Sequence, residues 1–338
     1  MADEKKCVSV GGQALMEGIM MNGPKGVAMA LRLPSGKIET QLKHVTLLKD
    51  KYKICGVPFI RGPISFVEQM ISGYKCLMES AEKTAAIEDD GTEELGKVDQ
   101  WLTDHFGPTM MTVIGIISAV IAFVIGFFLF MWMPSFIADL ILGKGSNGWK
   151  PAIEGVMRII IFIAYMYGCS LMKDIKRLFM YHGAEHKSIF CYENGLELTV
   201  ENVKKQSRFH PRCGTSFIFL TLVLSIMIST IIVLIFPQVR TYKAVWMAVK
   251  ILLLPLIMSI GYELIRYAGK HDNAFSRISS TPGLWMQRIT TKEPTDDIIE
   301  VGIASIKVAL GMEEENINKT DEEIPEAIPE DTTDENDG

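Results

Sequence analysis

Two histidines, His182 and His186, stand four residues apart in the stretch YHGAEHK, with Glu185 immediately before the second. On a helix, side chains at i and i+4 project from one face, and Glu185, three residues after His182, lies beside them. Imidazole nitrogens so placed share one zinc-like ion, while a neighbouring carboxylate deprotonates the bound water. The plain alternative is a polar helix end next to a membrane, where histidine caps backbone carbonyls.

The order H-x-x-E-H is the one used by inverzincin-type metallopeptidases. A second cluster follows in FHPRCGTSF, where His210 precedes Cys213 by three residues. Imidazole and thiolate are both zinc ligands, and a turn closes H-x-x-C around one ion. With His182 and His186 this makes a His3Cys set, which if closed is structural because no position is left for water. Glu263, in SIGYELIRYAGK, is the alternative ligand, since inverzincin-type sites take theirs from a distant downstream glutamate; its bland role is a salt bridge with Arg266 or Lys250. Arg212 is placed to steady an oxyanion or a phosphate. Gln13 and Glu17 lie in VGGQALMEGIMMNGP, read as a glycine-rich loop that either covers a site or makes a tight turn against the membrane domain.

Four apolar segments have the length to carry these residues across a bilayer, for which about 20 residues of helix are needed. They run over 110 to 133, 155 to 173, 215 to 236 and 244 to 265. The 48% hydrophobic content and mean hydropathy of +0.21 come from these segments, despite 22% charged residues. Eight Lys and Arg lie between 173 and 214 and five between 266 and 292, just after the fourth segment, against two in each of the loops 134 to 154 and 237 to 243. Positive charge gathers on the cytoplasmic side. The expectation is therefore a multi-pass plasma-membrane protein with both termini and the histidine-rich loop (174–214) in the cytoplasm.

Before the spans, VAMALRLPSGKIETQLKHV reads as a hairpin turning at Pro34 to Lys37. From Pro63, apolar residues at Ile64, Val67, Met70, Ile71, Tyr74, Leu77 and Met78 mark an amphipathic helix, expected to pack on that hairpin. The fold class is thus mainly α, a polytopic membrane protein with about four transmembrane helices and a small N-terminal α+β region. By residue, 1–86 is the N-terminal region, 87–109 an acidic linker, 110–312 the membrane domain with a C-terminal cytoplasmic segment from 266, and 313–338 an acidic, disordered tail. That tail holds twelve acidic residues against one lysine, so the net charge of −6 hides a body near +5.

The N-terminus lacks the regions of a signal peptide. Cys7, Cys55, Cys76, Cys169, Cys191 and Cys213 form no CxxC pair, so reduced thiols are expected. No basic, aromatic-interleaved patch points to nucleic acid.

Taken together, GGQALMEGIMMNGP, YHGAEHKSIFCYENG, SRFHPRCGTSF, SIGYELIRYAGK and TPGLWMQRITTKEP resemble the YqhQ-like family of bacterial membrane proteins, over residues 7 to 312. The resemblance implies an integral membrane protein and a metal-dependent enzyme, and its motifs fall on Glu17, His182, Glu185, His186, His210, Arg212 and Cys213. It supplies no substrate.

The leading expectation is a hydrolase with a divalent ion, zinc by ligand type, at the cytoplasmic membrane face, acting on a protein or lipid-linked substrate with Glu185 as base. A scaffold with a structural ion is the second reading. The third is a transporter using Glu154, Arg158, Lys250 and Glu263.

Overall fold

The computed structural model describes residues 10–45, 48–84, 117–118, 120–143, 149–240, 242–269, 271 and 273–316. The acidic linker, the beginning of the first expected span and the tail beyond Asn316 lie outside them.

The chain opens with a four-stranded antiparallel meander, β1 (Gly11–Leu15), β2 (Gly18–Gly23), β3 (Gly26–Arg32) and β4 (Ile38–Lys43). The expected hairpin is β3–β4, turning through Gly36 at φ +79°. The stretch read as a glycine-rich loop is instead β1 and β2, joined at Met16-Glu17. Helices cover both faces of this sheet, so its inner strands are apolar throughout rather than alternating. The period-two signal that marks a half-buried strand is therefore missing there.

On one face, Ile19, Met21, Ala28 and Ala30 pack against α5 (Lys173–Glu193) and α10 (Asp296–Leu310). The opposite face, with Leu15, Met20, Val27, Met29 and Leu31, meets Cys76 of α2 (Arg61–Thr84); a short α1 (Leu48–Lys51) precedes it. The two ends of the chain thus build one core. Gly302 of α10 permits close approach to α5, since a Cβ there would lie 2.7 Å from the Ser188 hydroxyl. The first residues of the acidic tail are also held, because Asn316 exchanges hydrogen bonds with Thr40 of β4.

Helix α2 corrects one expectation. It packs on the sheet through small residues, Gly73, Cys76, Ser80 and Thr84, while Val67, Met70, Ile71, Tyr74 and Met78 face outward. Gly73 is needed because the Gln13 amide occupies the space a Cβ would take.

Four helices are long and apolar enough to cross a membrane: α3 (Val120–Leu142), α4 (Lys150–Cys169), α7 (Gly214–Ile235) and α8 (Lys243–Ala268). The first continues nine residues past its expected end. Pro134 has no N–H for the preceding turn, and the break is absorbed by a π-helical turn at Phe128–Trp132. The guanidinium of Arg158 donates to the Phe130 carbonyl at 2.9 Å, satisfying an acceptor four residues before the proline. Glycines set the helix crossings: Gly155 meets Ile226, and Gly261 meets Phe217 and Thr221. Glu154, Arg158 and Lys250 line one cavity of about 250 Å³ between α4, α7 and α8.

A short helix, α6 (Val200–Lys204), and α9 (Ala274–Thr290) complete the fold. Helix α9 crosses α7 where Gly283 lies on Ser216.

Candidate metal centre

Helix α5 carries the H-x-x-E-H motif through the middle of the fold, and every residue from Tyr181 to Ile189 is buried. It ends where Gly195 takes φ +67°, a left-handed cap. The His182 and His186 rings share one face, their centroids 4.4 Å apart.

Each ring is oriented by a backbone carbonyl. The Nδ1–H of His182 donates to the Thr290 oxygen at 2.8 Å, and that of His186 donates to the Arg208 oxygen at 2.5 Å. A carbonyl only accepts, so both Nε2 atoms are turned inward. There His182 Nε2 lies 3.2 Å from Cys213 Sγ. The Nε2 of His186 is buried with no hydrogen-bond partner. One ring nitrogen from each histidine and the sulfur lie within 4.8 Å of one another, in three buried residues. Leaving a buried polar nitrogen unsatisfied costs about 1–3 kcal/mol, which ligation would offset. Histidine ligands of metals have this arrangement, with the distal N–H held by a carbonyl.

The local sequence explains how the carbonyls reach the site. Any side chain at Gly183 would overlap the Lys292 carbonyl, so glycine lets the segment after α9 cross α5 directly. Lys292 in turn donates its N–H to the Phe179 carbonyl at 2.8 Å. Cys213 sits at the N-cap of α7, where the chain enters the third span, and Thr215 Oγ1 lies 3.1 Å from its sulfur.

Charge is redistributed within this cluster. Burial alone would push the Cys213 thiol up, but His182 and His186 bring it well below its ordinary value. Burial likewise opposes charge on His182, yet the adjacent thiolate raises the imidazole to about 9. The sulfur and the His182 ring thus each favour the other's charged form. Burial raises the Glu185 carboxyl, with the two histidines pulling the other way. Glu185 lies under β1, where a Cβ at Gly12 would come 3.0 Å from its Cγ.

The remaining sequence candidates are placed differently. His210 is buried, but its Nδ1 accepts the Arg212 N–H at 3.3 Å and its Nε2 faces Glu193 at 3.4 Å. Burial, then His186, depress its pKa to about 4. Arg212 forms an ion pair with Glu193. Glu263 is held by both Nε and Nη2 of Arg61, at 2.7 and 2.6 Å, and is not among the converging ligands. Gln13 turns toward α2. Glu17, at φ +50°, is gripped by Arg177 and by the Tyr181 hydroxyl at 3.0 Å. The glycine-rich stretch therefore does lie over the motif, through Gly12, with Glu17 fastening its turn to α5.

Three contributors have no signal in the sequence: the carbonyls of Thr290 and Arg208, and Gln287. The buried Gln287 amide accepts the His210 N–H and donates to the His210 carbonyl, both at 2.7 Å, fixing the loop that delivers Cys213.

Four membrane-type helices joined to a small α/β module, with two histidines and a cysteine converging where the third span begins, define the class. It is a multi-span protein with a candidate metal centre at the start of its third membrane-type helix. The chain belongs to the DUF1385 family, described as a protein of unknown function, which matches residues 57–312. It is 35% identical over 322 residues to the uncharacterized protein YqhQ of Bacillus subtilis (strain 168), covering 93% of this chain and 96% of that one. The resemblance drawn from the motifs is thereby borne out. No solved structure matches.

Proposed function

We propose that this protein is a membrane-embedded hydrolase using a divalent ion held by His182, His186 and Cys213. The observation that carries this reading is the three-ligand set itself: His210 has other partners for both ring nitrogens, so a coordination position is left for water. Imidazole and thiolate together favour zinc. Glu185, a buried carboxyl beside the ligands, is the group assigned to take the proton from that water. Arg212, at the edge of the site on Glu193, is assigned to steady the developing anion. The excess of Lys and Arg around α5 and after α8 supports a cytoplasmic position for the centre. Peptide and lipid-linked substrates both reach a site next to the bilayer.

Elemental analysis of the purified full chain tests this directly. One equivalent of zinc is expected in the wild type and in Glu185→Gln, and none in a His182/His186 double alanine variant. Hydrolysis of candidate lipid-linked and peptide substrates should vanish in Glu185→Gln while the metal stays. A wild-type protein without stoichiometric metal removes the reading.

The burial of all three ligands favours a second reading, an ion that pins α5 to the start of α7 without catalysis. It predicts that Cys213→Ser lowers the melting temperature and that Glu185→Gln leaves every activity unchanged.

A further inference from the structure

A groove of about 810 Å³ opens between the last two turns of α8, the residues leading into α2 and the start of α9. Its polar end holds Arg61, Glu263, Arg266 and His271. Arg61 is committed to Glu263, whereas Arg266 is exposed and forms no ion pair among the described residues. Among the described lining residues two guanidiniums thus stand against one carboxylate, and Arg266 is near enough to act on Glu263 while remaining exposed. Phe59 and Phe275, both exposed, form the aromatic walls, and Phe59 is held at φ +71°, a conformation that bulky residues rarely adopt.

The apolar floor does not end at the groove. On α8, steps of four residues keep one face, so Ile260 and Leu264 continue into Leu256 and Leu252. Leu252 is 80% exposed and Leu256 44%, on a helix long and apolar enough to span a membrane. A charged pocket therefore passes into an exposed apolar stripe on a helix long and apolar enough to cross a membrane. This polarity profile matches an amphiphile, and a soluble ion would use only its upper end.

We infer that the groove binds an anionic phospholipid, its phosphate against Arg266 and the outer edge of Arg61, and its acyl chain along Ile260, Leu256 and Leu252. Guanidinium forks suit phosphate oxygens, and the aromatic walls suit the glycerol region between head and tail. The assignment is independent of the metal centre.

The test is a binding titration on the full chain in neutral detergent, using dihexanoyl phosphatidylglycerol, dihexanoyl phosphatidylcholine and glycerol 3-phosphate as probes. Saturable binding of phosphatidylglycerol is expected, weakened about tenfold in Arg266→Gln, the scale of one lost charge-assisted contact. Phe275→Ala, which removes an exposed wall and its edge-on contact with Tyr267, should weaken it too, while both variants keep the wild-type melting temperature. Equal binding of glycerol 3-phosphate would make this a soluble phosphoester site and overturn the lipid assignment. Equal binding of phosphatidylcholine, or phosphatidylglycerol binding unchanged in Arg266→Gln, would overturn it as well.

Discussion

His182 donates its Nδ1 proton to the carbonyl of Thr290, 2.8 Å away in space and 108 residues further along the chain. The contact fixes the direction of the Nε2 atom, and it exists only because Gly183 allows the segment after α9 to lie on α5.

Replacing Gly183 by alanine should therefore act on both fold and site. A methyl group would overlap the Lys292 carbonyl, which is backbone and cannot rotate aside. Overpacking of this kind costs about 1–3 kcal/mol. Denaturant unfolding should show that loss, and metal content should fall with it. An unchanged midpoint would mean that the segment does not cross α5 as described.

The ligand set is tested by comparing substitutions within it and beside it. His186→Ala and Cys213→Ser should each abolish stoichiometric metal, whereas His210→Asn should retain it, because the asparagine oxygen can take over the Arg212 N–H. Loss of metal in His210→Asn, with the protein still folded, would restore the four-ligand His3Cys set.

His210 also gives a pH signature. Its imidazole titrates near 4 in the folded chain, against an ordinary value of 6.5. Between these values the unfolded chain binds a proton that the folded chain does not, so stability falls as pH is lowered through this window. The size is on the order of 3 kcal/mol. His210→Asn should flatten that part of the curve relative to wild type, as followed by urea unfolding at stepped pH. Identical acid limbs for wild type and His210→Asn would count against the buried, neutral His210.

Gln287→Leu keeps the side chain's bulk and removes its three hydrogen bonds, two to the His210 backbone and one to the Ser216 hydroxyl. Leaving buried groups unpaired costs about 1–3 kcal/mol each, and a total loss of about 3 kcal/mol is expected because the bonds share one side chain. Since this loop carries Cys213, metal affinity should drop alongside stability. A stable variant with full affinity would show that the loop is held by other means.

The sequence by itself determined the elements whose signal is local. Four apolar runs of bilayer length, the β3–β4 hairpin with its glycine turn, and the i, i+4 histidines on one helical face each depend on neighbours within a few residues. Burial on both faces erased the alternation that would have exposed β2, the short edge strand β1 is too rich in glycine to show a period, and the apolar stripe of α2 did not reveal that the smaller residues would face the sheet. Only the tertiary structure decided the composition of the centre. His210 and Cys213 stand three residues apart and looked equivalent as ligands, yet one ring is occupied by Glu193 and the Arg212 N–H while the other residue's sulfur meets His182. Glu263, plausible by type and order, is taken by Arg61 from the start of α2. Which donor atoms converge depends on backbone carbonyls and helix crossings between segments about a hundred residues apart, and residue type and spacing carry no record of these.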